Sequence, residues 1–269
     1  MTSPKRLIGI FDSGLGGLTI VRELLKRSPR TSFVYLGDTA RVPYGNRSPA
    51  TICQYAKEDV RFLLTLGVTD IVVACHTVSA HALSELCMSF PQVPFYDVIH
   101  PVVKEATMDG MQRIGVIGTR ATIASGIYQR EIQRVHPTQE VLSVACPLFV
   151  PLVEEGWIHQ PETKKIVRRY LAPLKQKQID TLILGCTHYP LLERVIKATL
   201  QKRVTLIHTP SALWNDVAER SPELFSMSDD NQFRQEYYFT DISDRTREMA
   251  RAWLEQPILL KKAHVSNDA

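Results

Sequence analysis

Two short stretches of the sequence each place a cysteine directly after an apolar run with the composition of a buried strand. The first, Asp70-Ile-Val-Val-Ala-Cys-His-Thr77, contains Cys75, and the second, Thr181-Leu-Ile-Leu-Gly-Cys-Thr-His188, contains Cys186. In both, a segment with helical periodicity follows the cysteine. Open α/β sheets bind their ligands at such strand-to-helix turns, and a helix N-terminus favours a thiolate. We therefore interpret Cys75 and Cys186 as a pair of reactive thiols.

The other three cysteines, Cys53, Cys87 and Cys146, lack this context, and we interpret them as small apolar residues. His188 lies two residues after Cys186, where an imidazole could serve as an acid–base partner or as a charge beside the thiol.

A zinc site is an alternative interpretation, because Cys75, His76, Cys186 and His188 have the composition of a Cys₂His₂ centre. Their spacing is not that of a compact zinc finger, and adjacent side chains of an extended chain point to opposite sides. We therefore expect no metal ligand among them.

An acid and a glycine-rich turn follow the first apolar run of the chain. Asp12 and Ser13 are succeeded by Gly14-Leu-Gly-Gly17, but Thr19 occupies the third glycine position of a dinucleotide fingerprint. The turn could instead hold a small anion or cap a helix. Because the sequence also lacks motifs for pyridoxal phosphate chemistry or phosphate loops, we expect no cofactor.

Composition limits the classes of function. The 269 residues carry a net charge of only +4, scattered along the chain, which argues against a nucleic-acid partner. No apolar run approaches the ~20 residues of a membrane span. An odd number of cysteines without a signal peptide predicts reduced thiols in the cytoplasm.

Strands and helices alternate along the chain, which predicts an α/β fold with mostly parallel sheets. Predicted strands cover 7–11, 33–36, 70–73, 113–118, 140–145, 181–184, 204–207 and 236–240. Predicted helices cover 18–27, 49–66, 79–89, 123–134, 163–174, 191–202 and 243–254, with another amphipathic helix after residue 210.

A proline-rich segment at residues 91–101 lacks helical periodicity, and we place a crossover between two domains there. The predicted first domain comprises residues 1–98 plus 210–269, and the second comprises 99–209. Because the two cysteine turns resemble each other, we expect two doubly wound parallel-sheet domains related by a pseudo-twofold axis.

Six motifs together resemble the glutamate racemases, a family of the cofactor-independent aspartate/glutamate racemase superfamily. These motifs are FDSGLGGLT (11–19), YLGDTARVPYG (35–45), VVACHTVSA (72–80), GVIGTRATIASGIY (115–128), PLVEEG (151–156) and GCTHYPLL (185–192). The similarity covers most of residues 7–192 and is weak after about residue 207.

The resemblance implies an active site in the cleft between the two domains and a two-base racemisation. One thiolate removes the α-proton of the amino acid, and the opposite thiol returns a proton to the other face. By position, the implied catalytic residues are Cys75, Cys186, Asp12, Glu154 and His188. The implied substrate-binding residues are Asp12, Ser13, Tyr44, Gly45, His76, Thr77, Thr187 and His188.

The predicted function is therefore the conversion of L- to D-glutamate for peptidoglycan synthesis, and thus for cell-wall biogenesis and cell shape. The expected partner is a small-molecule amino acid, and formation of a homodimer is left open. One departure bears on the substrate: the family has asparagine where this chain has His76. Because histidine is larger and can be charged, racemisation of aspartate or another amino acid is the alternative function.

Overall fold

A computed structural model describes residues 6–108, 111–200, 204–225 and 233–266. Strands and helices alternate through these ranges. The strands are β1 (Ile8–Asp12), β2 (Phe33–Gly37), β3 (Asp70–Val73), β4 (Phe95–Asp97), β5 (Arg113–Gly118), β6 (Glu140–Ala145), β7 (Thr181–Gly185), β8 (Thr205–Ile207), β9 (Gln235–Phe239) and β10 (Leu260–Lys262).

The helices follow the strands as connections that cover the sheet faces. They are α1 (Leu18–Arg27), α2 (Pro49–Thr65), α3 (His76–Ser89), α4 (His100–Ala106), α5 (Arg120–Ala124), α6 (Ile127–Val135), α7 (Phe149–Glu154), α8 (Pro161–Gln176), α9 (Glu193–Leu200), α10 (Thr209–Arg220) and α11 (Asp244–Leu254). Within the described ranges, no helix is long and apolar enough to cross a membrane.

The strands form two sheets, each with only parallel pairing. The first has the order β10-β9-β2-β1-β3-β4, and the second has the order β6-β5-β7-β8. Strands β1, β2, β3 and β7 are buried along their whole length, as expected for parallel strands covered by helices on both faces. The prediction of two parallel-sheet α/β domains is thereby confirmed.

The C-terminal part of the chain returns to the first sheet. Strand β9 pairs with β2, with Tyr35 opposite Tyr237, and β10 extends the same edge. Helix α11 packs against α1. The domain boundaries proposed from the sequence, 1–98 plus 210–269 and 99–209, stay a prediction.

Several elements differ from the prediction. Helix α3 begins at His76 rather than at residue 79, and the predicted helix 123–134 is broken between α5 and α6, where Gly126 has a φ of 65°. The crossover segment contains β4, which pairs with β3, and β10 was not predicted at all. The predicted residues 201–202 of the helix after β7 lie outside the described residues.

Candidate active site

A cavity of about 290 Å³ lies where the carboxyl ends of strands from both sheets meet. The first sheet contributes Ser13, after β1, and Cys75, after β3, whereas the second contributes Cys186, after β7. The volume of the cavity is at the small end of the range for ligand pockets, which suits a metabolite rather than a large cofactor. The two thiols identified in the sequence therefore line the same cavity from different sheets.

Cys75 occupies the N-cap position of α3 and is 6% exposed. Its thiol donates to Oγ of Ser13 across 3.4 Å. Burial and the nearby Asp12 raise the pKa of Cys75 to about 12, although the Ser13 hydroxyl acts in the opposite direction. At neutral pH this side of the cavity therefore presents a thiol, which is a proton donor.

Cys186 has a different neighbour. Its Sγ atom lies 3.9 Å from Nδ1 of His188, whose Nε2 is 3.0 Å from Oε1 of Glu154. Burial lowers the pKa of His188, but its hydrogen bonds with Cys186 and Glu154 outweigh burial and raise it to about 10. The imidazole is therefore an imidazolium at neutral pH, and it places a positive charge beside the Sγ atom of Cys186.

Asp12 connects the two sheets from the end of β1. It is 1% exposed, and its carboxylate accepts from the main-chain N–H of Gly14 across 2.9 Å and from the hydroxyl of Thr187 across 3.4 Å. Thr19 reaches the same turn by donating to the main-chain oxygen of Thr187. Burial raises the pKa of Asp12. Asp12 therefore joins the turn after β1 to the turn that carries Cys186.

The loop that presents Tyr44 and Gly45 to the cavity is anchored by buried charges. The Tyr44 hydroxyl donates to Asp38 and, across 3.3 Å, to Asp59. Arg41 forms ion pairs with both of these carboxylates. Because Tyr44 donates outward to this cluster, its hydroxyl holds the loop in place. Tyr44 and Gly45 both line the cavity, and their contact with a substrate stays a prediction.

Thr77 lies in the first turn of α3 and forms hydrogen bonds to Thr119 (3.0 Å) and Thr122 (3.1 Å) of the second sheet's connection. Gly45 packs closely against Thr119: a Cβ atom at position 45 would lie only 2.7 Å from Cβ of Thr119. Hydroxyl groups from elements on both sheets therefore bond to one another along this wall of the cavity.

His76 contributes to the cavity wall, but its ring is buried. Its Nε2 lies 3.3 Å from Oγ1 of Thr209, and burial lowers its pKa to about 3. The imidazole is therefore neutral and bonded to α10. In the part of the chain that the structure describes, no three His, Cys, Asp or Glu side chains come together in a group that could hold a metal ion.

The structure thus brings all eleven predicted residues to the cavity or directly behind it, and it adds several that the sequence did not indicate. Trp253 of α11 packs edge-on against the His188 ring, with centroids 5.4 Å apart. Arg245, also of α11, donates through Nε to the main-chain oxygen of Glu154 across 3.1 Å. Both lie in the C-terminal segment, where no motif was recognised.

Comparison with known proteins adds evidence on the family. Residues 18–216 match the family model described as Asp/Glu/Hydantoin racemase. The chain is 44% identical to the glutamate racemase of Geobacter metallireducens over 244 residues, covering 89% of each chain. It is 47% identical to that of Aquifex aeolicus over 252 residues, covering 93% of this chain and 95% of the relative.

Solved structures agree with these similarities. Glutamate racemase from Francisella tularensis in complex with D-glutamate superposes with a TM-score of 0.89 and 34% identity, over 96% of this chain and 97% of that one. The Aquifex pyrophilus glutamate racemase gives a TM-score of 0.81 and 44% identity, over 96% and 98% of the two chains. The resemblance inferred from the six sequence motifs is confirmed.

Proposed function

Because this chain belongs to the Asp/Glu/hydantoin racemase family and is therefore a racemase, we propose that it interconverts L- and D-glutamate through Cys75 and Cys186. The observation that carries the proposal is the position of these two thiols, which line one cavity from two different sheets. Racemisation without an electron sink needs a base on one face of the α-carbon and an acid on the other. Two cysteines meet that need, whereas one does not.

The surroundings of the two thiols fit such a reaction. Cys186, which lies beside the imidazolium of His188, is the base that takes the α-proton, so the C–H bond breaks and an S–H bond forms. Cys75, whose pKa is raised to about 12, then donates its proton to the opposite face. The opposite enantiomer reacts through the same groups in reverse order.

Glu154 and Asp12 assist from behind the thiols. Glu154 accepts from His188 and holds the imidazolium in place. Asp12 lies behind Ser13 and near Cys75, where its carboxyl group, whose pKa is raised by burial, assists proton transfer at that thiol. The ammonium group of a bound amino acid adds a positive charge to the cavity and lowers the pKa of a nearby thiol.

Hydroxyl groups would receive the two carboxylates of glutamate. Ser13, Thr77, Thr119 and Thr187 all line the cavity, and Arg120 contributes a positive charge at the same place. Carboxylates are bound well by such donors when water is excluded. The D-glutamate complex of the Francisella tularensis relative supports this choice of substrate.

The wider role follows from the product. We propose that the D-glutamate supplies peptidoglycan synthesis and that the reaction takes place in the cytoplasm, as the free cysteines suggest. Racemisation of aspartate or of another amino acid is the alternative, since His76 changes the cavity wall. Formation of a homodimer stays a prediction.

The test uses L- and D-glutamate separately in D₂O, with circular dichroism for inversion and proton NMR for label at the α-carbon. Cys75→Ser and Cys186→Ser should each lose inversion of both enantiomers by about 10³-fold or more, because a serine hydroxyl is a much weaker acid and its alkoxide is not populated. Cys87→Ser, at an exposed position outside the cavity, is the matched control and should keep full activity.

Two results would overturn the proposal. Full activity in either catalytic-thiol variant removes the two-thiol mechanism. If a panel of enantiomers shows inversion of aspartate or another amino acid but no inversion of glutamate, that amino acid is the substrate and glutamate is not.

A further inference from the structure

A chain of two hydrogen bonds joins the elements that carry the two thiols. His76 follows Cys75 at the start of α3, and its Nε2 lies 3.3 Å from Oγ1 of Thr209, the first residue of α10. The same hydroxyl donates across 3.3 Å to the main-chain oxygen of Leu184 in β7, two residues before Cys186. We call this chain, His76–Thr209–Leu184, the strap.

The number of hydrogens available in the strap determines which group donates each of its two hydrogen bonds. A threonine hydroxyl has one hydrogen, and that of Thr209 is directed at Leu184, so Thr209 must accept its second bond from His76. The ring of His76 is therefore the Nε2–H tautomer. Its Nδ1 is buried and has no hydrogen-bond partner among the described residues. Because buried polar atoms are normally paired, the Nε2 bond is the polar contact that orients this ring.

Burial shields both hydrogen bonds of the strap from solvent. His76 is 2% exposed and Thr209 is 1% exposed, so water does not compete for either bond. Leu184 is held in turn by the second sheet, where it pairs with Ile117 of β5. The strap therefore connects the N-terminus of a helix on the first sheet to the central part of the second sheet.

We propose that His76 and Thr209 are positioning residues that set the separation of the two thiols across the substrate, an inference that rests on the two-thiol racemisation proposed above. Each sulfur must approach the α-carbon closely, because proton transfer requires reacting atoms within about 3–3.5 Å. The strap joins the residue that follows Cys75 to β7, which carries Cys186 at its end, and so keeps both sulfurs within reach at the same time.

Loss of the strap has a specific chemical consequence. One thiolate still removes the α-proton, forming S–H and leaving a carbanion. When the opposite thiol is too distant, inversion slows, and the first S–H exchanges its proton for a solvent deuteron. That deuteron then returns to the same face, so the recovered substrate is labelled but not inverted. The ratio of exchange to inversion therefore reports the separation of the thiols.

The experiment compares Thr209→Val with Thr209→Ser in D₂O, starting from each glutamate enantiomer. Valine keeps the shape of threonine and removes both strap bonds, whereas serine keeps the hydroxyl. For Thr209→Val we expect a kcat about tenfold lower, a KM within about twofold of wild type, and an exchange-to-inversion ratio several-fold higher. Thr209→Ser should behave like wild type. The ratio is measured by NMR of the recovered substrate and by chiral separation of the product.

The matched control is Thr107→Val, which removes a buried hydroxyl that donates across 2.8 Å to the main-chain oxygen of Val103, in a helix without a thiol. General destabilisation lowers exchange and inversion together, so the ratio in this control should not move. If Thr209→Val does not fold, His76→Leu breaks the first bond alone and should raise the ratio in the same way.

The proposal is overturned if the exchange-to-inversion ratio is unchanged in a folded Thr209→Val or His76→Leu variant. It is also overturned if this ratio rises equally in the Thr107→Val control. A wild-type protein that neither exchanges nor inverts glutamate overturns the proposed function instead. The two failures are therefore distinguishable within one set of measurements.

Discussion

The two sides of the cavity begin from the same local structure and end with different chemistry. Cys75 and Cys186 each follow a buried strand at its carboxyl end. Around Cys75 the neighbours are the Ser13 hydroxyl and a buried carboxyl group, and the pKa of the thiol is raised to about 12. Around Cys186 the neighbour is an imidazolium that is bonded to a glutamate.

This difference shows that a symmetric reaction does not require a symmetric site. Enantiomers have equal free energies, so the equilibrium constant is one, and kcat/KM must be the same in both directions for any variant. The asymmetry of the protein is instead expressed in which proton transfer limits each direction. Isotope effects and stability measurements, rather than the two catalytic efficiencies, distinguish the Cys75 side from the Cys186 side.

The largest effect is expected on the Cys186 side, from His188→Asn. Without the imidazolium the sulfur of Cys186 loses the positive charge beside it, and kcat/KM should fall about 10³-fold in both directions. The primary isotope effect with α-deuterated glutamate should rise for only the enantiomer that Cys186 deprotonates. Circular dichroism with each labelled enantiomer measures both quantities. His264→Asn, at an exposed histidine outside the cavity, should match wild type, and equal rises for both enantiomers would contradict the assignment.

The second prediction concerns stability against pH. The pKa of His188 is raised in the folded protein, from 6.5 to about 10, so the stabilisation is fully present below pH 6.5 and is lost as the pH rises toward 10. The free energy of unfolding of the wild type, measured with denaturant, should therefore fall over this pH range, relative to that of His188→Asn, by an amount on the order of 5 kcal/mol. Parallel curves for the two proteins would show that the imidazolium contributes nothing to folding.

A smaller effect is expected on the Cys75 side, from Asp12→Asn. The amide keeps the size of the carboxyl group but cannot store or release a proton, so kcat/KM should fall roughly tenfold to a hundredfold. The isotope effect should now rise for the enantiomer deprotonated by Cys75, opposite to the result for His188→Asn. If the isotope effect rises for the same enantiomer in Asp12→Asn and in His188→Asn, the two sides of the site do not have the separate roles proposed here.

The smallest effect is expected from Ser13→Ala. The hydroxyl accepts a single hydrogen bond from Cys75 across 3.4 Å, and loss of one such neutral bond typically changes a free energy by about 1 kcal/mol, or roughly fivefold in rate. The pH dependence of inactivation by iodoacetamide should shift upward for Cys75, because the hydroxyl lowers the pKa of that thiol. Peptide mapping of the alkylated protein separates this cysteine from the other four.

The sequence predicted the parts of the site that are local in the chain. Apolar runs, small residues and cysteines at strand ends follow one after another, so periodicity was enough to place both thiol turns and most strands. Strand β10 was missed because Leu260–Lys262 is short and lies at the sheet edge, beside β9. Strand β4 was missed because it has only three residues between prolines.

The contacts that prepare each thiol could not be predicted from local patterns. Glu154 reaches His188 only through the packing of α7 against the turn after β7, a contact between segments that are distant in the sequence. Thr209 and Trp253 are separated from their partners His76 and His188 by long stretches of chain. Their roles follow from the tertiary structure, in which distant turns meet at one edge.

The return of β9 and β10 to the first sheet has a consequence for biosynthesis. All strands of the second sheet lie between Arg113 and Ile207, so a growing chain can complete that sheet while the first still lacks two strands. Because domains generally fold as units during synthesis, the unit that is encoded later and without interruption becomes complete first. Trp253 can reach His188 only after the second sheet and both cysteines have been synthesised, so the nascent chain carries both sulfurs before this ring contact can form.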